Sequence, residues 1–465
     1  MTSTTPTPQT AVPGWLAEEI DSVPPIDAFA TVDELAAECA RIADEHPGAA
    51  RLHRAGTSAQ GEPLTCLTVD GAPGAPEALV FGLPHPNEPI GGLTAAHLAR
   101  RLAEDPDLRA RLGHTWRIVA CIDPDGLRLN EGWLKGPFTR EHYARHFYRQ
   151  AGAEQIEWTF PLDHKGAYFD AVLPETLALM RLIDTHRPAL MASLHNSELG
   201  GVYYYLSRDE PALYPTLQQI PRRLGLPLHQ GEPEAPWIPR LADGVFRSLD
   251  VRDAYDHLER AGLAETISGG NSTGSYAERY GTLTLVCELP YWSDPRIADT
   301  TPTDVGYAEP LRENGRLMAE LSATMADTLA AVEGLTWVDS PFLRASRFYT
   351  RISHDLAADM LRRAEQADPH RRATVAETVS SVDAVHMFRL RYGGMLLRAL
   401  DAELAAGNLR PAVRGARSAL AERYAGWCAE ATAGTPAEPI PIGSLVATQY
   451  AAVVAAAAHL TAARG

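Results

Sequence analysis

EALVFGLPHPNEPIGGL, residues 77–93, passes from an apolar run through a proline-stiffened turn into a segment with helical spacing. A strand that ends in a turn and leads into a helix is the first half of a βα unit. It predicts an α/β sheet with ligands bound beyond the carboxyl ends of its strands. His85 and Glu88 sit in that turn, three positions apart, with Pro86 and Pro89 beside them. Two such side chains can converge on one ion, but taken alone the pair reads more simply as the polar edge of a strand-end turn.

From Thr31 to about Pro310 the chain alternates β-rich runs with helical stretches. PLTCLTV (63–69), WRIVACI (116–122), ALMASLH (189–195), GVYYYLS (201–207) and TLTLVCEL (282–289) read as further strands, and 32–46, 90–104, 175–186 and 213–224 as helices. The expected fold class is α/β, a mixed and mainly parallel twisted sheet with helices on both faces. Beyond Pro310 glycine thins out and Ala/Leu/Arg/Glu segments take over at about 310–332, 342–366, 370–406, 411–431 and 443–463, which predicts a C-terminal all-helical domain. The expected parts are a flexible Thr/Pro-rich leader over 1–25, an α/β domain over 26–310 and a helical domain over 311–465.

A hydrophobic fraction of 45% and a charged fraction of 22% supply enough apolar material for a packed core. The net charge of -17 argues against a nucleic-acid or anionic-membrane partner, because phosphate recognition needs clustered basic residues. Cys39, Cys66, Cys121, Cys287 and Cys428 are widely spaced without a CxxC pair, and several lie in apolar runs, as buried thiols of a reducing compartment do. The N-terminus has neither the basic nor the apolar region of a secretion signal, and YAAVVAAAAHLTAA (450–463) reads as a packed helix and not as a membrane span. A cytoplasmic location is expected.

A hydrolytic zinc site needs three protein ligands, an open position for water, a general base and a positive group for the developing oxyanion. His195 ends the strand run ALMASLH and Glu288 emerges from TLTLVC, so both are strand-end candidates to meet His85 and Glu88. Read singly, His195 is more simply a structural histidine, and Glu288 a salt-bridged strand end.

Taken together, the landmarks resemble the zinc carboxypeptidases related to carboxypeptidase A over roughly residues 30–295. GTSAQGEPL (56–64), HPNE (85–88), DPDG (123–126), PETLALMRLIDTHRPALMASLHNS (174–197) and SGGNSTGSYAERYGTLTLVCEL (268–289) occur in the family's order. The resemblance implies Zn²⁺ held by His85, Glu88 and His195, with Glu288 as general base and then general acid. It also implies that Arg149, with Tyr148 where the family has asparagine, binds the substrate carboxylate. The family's oxyanion arginine falls on Leu134, which makes Arg128 the substitute and Lys135 the next choice.

The family's mobile tyrosine maps to Glu265, with Tyr276 or the tyrosines of 203–205 as stand-ins, and His146 lies near the place of the acid that orients the first zinc histidine. HPNEPIG also leans toward the related aspartoacylase and succinylglutamate desuccinylase group. Three functions stand: a metallocarboxypeptidase acting on peptides, a deacylase of N-acyl amino acids on the same zinc site, and a non-catalytic scaffold whose helical domain binds a partner. That domain is expected to be either a lid, with arginines such as Arg389 and Arg391 in reach of the site, or a surface for homo-oligomers.

Overall fold

The computed structural model describes residues 12–230, 238–260, 269–434 and 437–464. Among them nine strands pair into one mixed sheet: β1 (Ala50–Thr57), β2 (Pro63–Val69), β3 (Glu77–Gly82), β4 (Thr115–Val119), β5 (Leu190–Leu194), β6 (Tyr203–Leu206), β7 (Arg240–Ala242), β8 (Val245–Arg247) and β9 (Leu283–Glu288). Their spatial order is β1-β2-β4-β3-β5-β9-β6-β8-β7. The centre, β4-β3-β5-β9, is parallel throughout. Every residue of β5 is buried, as a strand covered on both faces requires. The antiparallel pairs lie to either side, at β1-β2, β2-β4, β9-β6 and β8-β7.

Strand alternation sorts the helices. Ala78, Val80, Leu190 and Ala192 face one layer, built from α1 (Gly14–Asp21), α2 (Val32–Glu45), α3 (Ile90–Glu104) and, late in the chain, α11 (Ile442–Ala462). Leu79, Phe81, Val119 and Met191 face the opposite layer, where α5 (Pro174–His186) supplies Leu179, Leu182 and Ile183. Thr31 and Glu34 close a capping box at the start of α2, which explains why that boundary is sharp in the sequence. The short helix α4 (Arg140–His146) and helix α6 (Tyr214–Arg223) complete the α/β part.

Two glycines set the geometry of the 77–93 turn. A Cβ on Gly82 would lie 2.5 Å from the Gly91 carbonyl carbon, and one on Gly91 would lie 2.8 Å from the Leu194 carbonyl oxygen. Helix α3 therefore packs directly on the backbones of β3 and β5. The turn between is tight enough to force Leu83 to a φ of 60°, a left-handed conformation unusual for a branched side chain.

The expected domain boundaries need three corrections. Within the presumed leader, residues 14–21 form α1, with Leu16 and Ile20 buried and Glu19 bonded to Arg101 at 2.8 Å. Hydrophobic burial at i and i+4 orders a segment whose Thr/Pro content suggested mobility. The helical tail starts at Ala308, with α7 (Ala308–Ala331), α8 (Pro341–Gln366), α9 (Val375–Ala405) and α10 (Pro411–Gly434) packed on one another. Its last helix, α11, leaves that bundle and returns to the sheet layer against α1, α3 and α6.

Helix α11 is the one helix among the described residues long and apolar enough to cross a membrane, and 78% of its apolar window is buried inside the fold. Its alanines let it approach α3 and the sheet closely. Within it, Gln449 Nε2 donates to the His195 carbonyl at 2.8 Å and to the Cys287 carbonyl at 3.3 Å, tying the ends of β5 and β9. Replacing Gln449 by leucine removes a buried donor from two buried carbonyls, and the expected loss is about 1–3 kcal/mol. Urea unfolding of Gln449→Leu measures it, and a loss below about 0.5 kcal/mol would show that the contact contributes nothing net.

Candidate metal centre and active site

Strands β3, β5 and β9 lie side by side and point the same way, with Gly82 and Cys287 both in register with Leu194. Whatever follows each strand meets at one edge of the sheet. After β3 come His85 and Glu88, after β5 comes His195, and β9 ends on Glu288. The three expected ligands are buried, and their ligand atoms all lie within 4.8 Å of one another. His85 Nδ1 is 3.1 Å from one Glu88 carboxylate oxygen and His195 Nδ1 is 3.0 Å from the other. Two imidazole nitrogens around one carboxylate is a donor set that suits zinc.

The electrostatics support the fit. Burial, reinforced by Arg149, pushes the His85 imidazole down to about 4, so it stands neutral and available as a ligand. Burial acts the same way on His195, but Glu157 and Glu88 outweigh it and hold that ring above its usual range. Ser193 Oγ sits 2.8 Å from His195 Nε2 and donates to Glu157 Oε2 at 3.3 Å, so the ring is oriented from behind.

The other expected residues divide. Arg149 reaches the cluster: its Nη1 lies 2.7 Å from Glu88 Oε1 and 3.4 Å from Asn87 Oδ1. Arg128 does not, because Asp33 at 2.8 Å and Glu62 at 3.0 Å hold its guanidinium away from the cavity. Lys135 is likewise spent on Glu34 and on the Phe29 carbonyl. Tyr148 is buried outside the cavity, edge-on to Phe342 with ring centroids 5.4 Å apart, so it braces the loop and presents nothing to a substrate. Tyr276 donates to Asp184 at 2.8 Å, and His146 bonds its own helix through the His142 carbonyl. Tyr203 and Tyr205 do line the cavity, and Glu265 lies outside the described residues.

The cavity beyond the cluster measures about 830 Å³. One wall comes from the α/β part and the other from α8 and α9, so the helical segment roofs the site. Arg391 of α9 lines it and pairs with Glu198, whereas Arg389 turns away to Glu320 and Glu430. Glu198 is a buried carboxylate at a φ of 68° that also accepts from Asn87 Nδ2 at 3.0 Å and from the Tyr143 hydroxyl. It thereby fastens the roof to the metal loop. Neither Glu198 nor Glu157 was expected from the sequence, though each is a glutamate within an apolar or glycine-flanked stretch, the one mark they carry there.

Behind the turn that follows β4, Asp123 is fully enclosed. Burial pushes its carboxyl up to about 8 against the opposing Gly126 N–H bond, with Glu175 and Asp125 adding to the rise. In the unfolded chain it ionises near 3.8. The folded state therefore binds the extra proton, and the stability from this group is full below about pH 4 and lost as pH rises toward about 8. Asp123→Asn is expected to gain on the wild type at pH 8 relative to pH 5, by a few kcal/mol on the order given by the shift. Denaturant midpoints of the two proteins across that range check it; parallel curves would contradict the buried neutral acid.

Comparison with known proteins locates the match. Residues 35–230 match the zinc carboxypeptidase family model, a span that contains His85, Glu88, Arg149 and His195. Carboxypeptidase D of Anas platyrhynchos is 24% identical over 213 residues, which are 42% of this chain and only 15% of that protein's length. Among solved structures, the metallo-carboxypeptidase of Burkholderia cenocepacia overlaps at a TM-score of 0.36 with 17% identity, over 56% of this chain and 60% of that one. Carboxypeptidase A of Helicoverpa armigera overlaps at 0.38 with 13% identity, over 75% and 78%. The His/Glu/His donor set agrees with the metal in the family's name. Over residues 35–230, this chain is similar to the zinc carboxypeptidase family.

Proposed function

We propose that the protein is a zinc-dependent hydrolase that cleaves an amide bond beside a free carboxylate, most simply as a metallocarboxypeptidase. The observation that carries the reading is the convergence of His85, Glu88 and His195 within 4.8 Å, at a cavity that Glu288 and Arg149 also line. When held by these three residues, zinc supplies a Lewis acid for the scissile carbonyl and lowers the pKa of water. Glu288, next to His195 at the strand edge, accepts the proton that the attacking water gives up and returns it to the leaving amine nitrogen. Arg149 offers a guanidinium fork to the substrate carboxylate, and its burial among aromatic side chains strengthens that recognition.

A second reading, hydrolysis of N-acyl amino acids on the same centre, is favoured by the roof. Helices α8 and α9 wall the cavity, which suits a small substrate taken in whole better than the end of a long chain. The same roof supports a lid role for the helical segment over a dimer surface. The five free cysteines, four of them buried, support the cytoplasmic setting that forms part of the proposal.

Metal analysis after dialysis is expected to give about one zinc per chain for the wild type and far less for Glu88→Ala or His195→Ala. Equal retention by those variants would sink the site. Glu288→Gln is expected to keep its zinc and lose about 10²–10⁴-fold in kcat, since only the proton transfer is removed. Arg149→Lys is expected to raise KM for carboxylate-bearing amides more than it lowers kcat; a pure kcat effect would assign Arg149 elsewhere.

A further inference from the structure

Helices α8 and α9 are antiparallel neighbours, and each contributes a single stripe to the cavity. From α8 these are Phe348, Tyr349, Ile352, Leu356 and Met360, and from α9 Ser380, Ala384, Phe388, Arg391 and Tyr392. The spacing of three to four residues keeps each stripe on one face of its helix. Over the thirteen residues from Phe348 to Met360 the α8 stripe is about 18 Å long.

The lining of this trough is mixed in chemistry. At one end Tyr349 and Tyr392 stack at 3.9 Å, and Arg149 and Arg391 lie there beside the metal cluster. Leu356 and Met360 of α8, Ala384 of α9 and Met318 of α7 also line the cavity, as do Val251 and Ala254. Ile352, Leu356 and Met360 are only half-buried, so their free surface is turned to the cavity.

That lining decides between two occupants of the same length. A peptide laid along it would carry an N–H and a carbonyl at every residue. The helical walls use their own backbone groups internally and the Ser380 hydroxyl is bonded to the Ala376 carbonyl, which leaves the Ser248 hydroxyl as a polar partner for a peptide laid along α8 and α9. Each unmet peptide group would cost free energy, whereas a hydrocarbon chain needs no partner and gains about 0.8 kcal/mol per buried methylene. Small residues at Ser380 and Ala384 leave the width a chain requires.

We infer that the helical segment forms an acyl-chain trough, and that the substrate is an amino acid or short peptide carrying a long apolar N-acyl group, its carboxylate at the arginine end and its chain along α8 and α9. This rests on the zinc-hydrolase reading and names its substrate class.

The test uses the full-length zinc-loaded protein and a series of N-acyl amino acids from acetyl to hexadecanoyl, beside unacylated peptides of matched length, with release of the free amino acid followed. The expected result is a rise in kcat/KM of at least about tenfold between acetyl and dodecanoyl, and poor turnover of the peptides. Ala384→Trp, which fills the trough, is expected to lower kcat/KM for dodecanoyl about tenfold more than for acetyl. Displacement of a fluorescent fatty acid supplies a readout that needs no catalysis, and the same variant is expected to weaken it about tenfold.

Hydrolysis of acetyl substrates with no dependence on chain length, or preference for the matched peptides, would overturn the trough while leaving the hydrolase reading intact. Binding of the fatty acid without hydrolysis of any substrate would overturn the hydrolase reading and leave the trough. Absence of both would overturn the two together.

Discussion

The centre of this molecule depends on the direct contact of α3 with the backbones of β3 and β5. Gly82 and Gly91 permit it, since a single added Cβ at either position meets main-chain atoms at under 3 Å. Because the helix sits so low on the sheet, the seven residues from Leu83 to Pro89 are drawn into a loop with no slack. Leu83 takes a left-handed conformation, and His85 and Glu88 are delivered to the sheet edge already facing His195. The parallel register of β3, β5 and β9 then brings the remaining acid, Glu288, to the same edge. A strained loop held by surrounding packing is how a site meets a metal with its ligands already in position.

Around that edge the fold places charges in pairs. Glu88 meets Arg149, Glu198 meets Arg391, and Glu157 backs His195 through Ser193. Buried carboxylates of this kind are costly when alone. Each of these three is met by a hydrogen-bond donor from another element: a loop arginine, a roof arginine, or a strand serine. Glu198 is the most connected, since Asn87 between the metal-binding residues and Tyr143 of α4 also bond to it. The helical segment is thereby held to the site by a charge network as well as by apolar packing.

How much of this was legible in the sequence follows from how local each signal is. His85, Glu88, His195 and Glu288 each end or follow an apolar strand, and a strand edge is written into a few consecutive residues, so the central strands and the meeting of these four residues at one sheet edge are legible in the sequence. The five tail helices were also found within a few residues, because 3.6-residue periodicity and alanine content are local. Arg128 was misplaced because its partners, Asp33 and Glu62, come from α2 and the loop before β2, and nothing near Arg128 announces them. Helix α1 was missed because its order comes from Tyr450 and Arg101, far along the chain. Helix α11 was recognised as a packed helix, but its destination was not, since an all-round apolar sequence carries no face by which to tell a bundle from a sheet layer. Glu198 was invisible because its role depends on a backbone angle and on Arg391, which lies almost two hundred positions away in the chain.

The two walls of the cavity have different histories available to them. His85, Glu88, His195 and Glu288 stand at strand ends and in the loop that follows β3, and Arg149 in the loop after α4, where an exchange disturbs the whole buried cluster. The opposite wall carries the apolar stripe of Ile352, Leu356 and Met360 on α8. Substitutions at Ile352, Leu356 or Met360 therefore reshape what fits without reaching what reacts. A molecule divided in this way can change the shape of its cavity by single substitutions on α8 while the buried cluster at the sheet edge stays as it is.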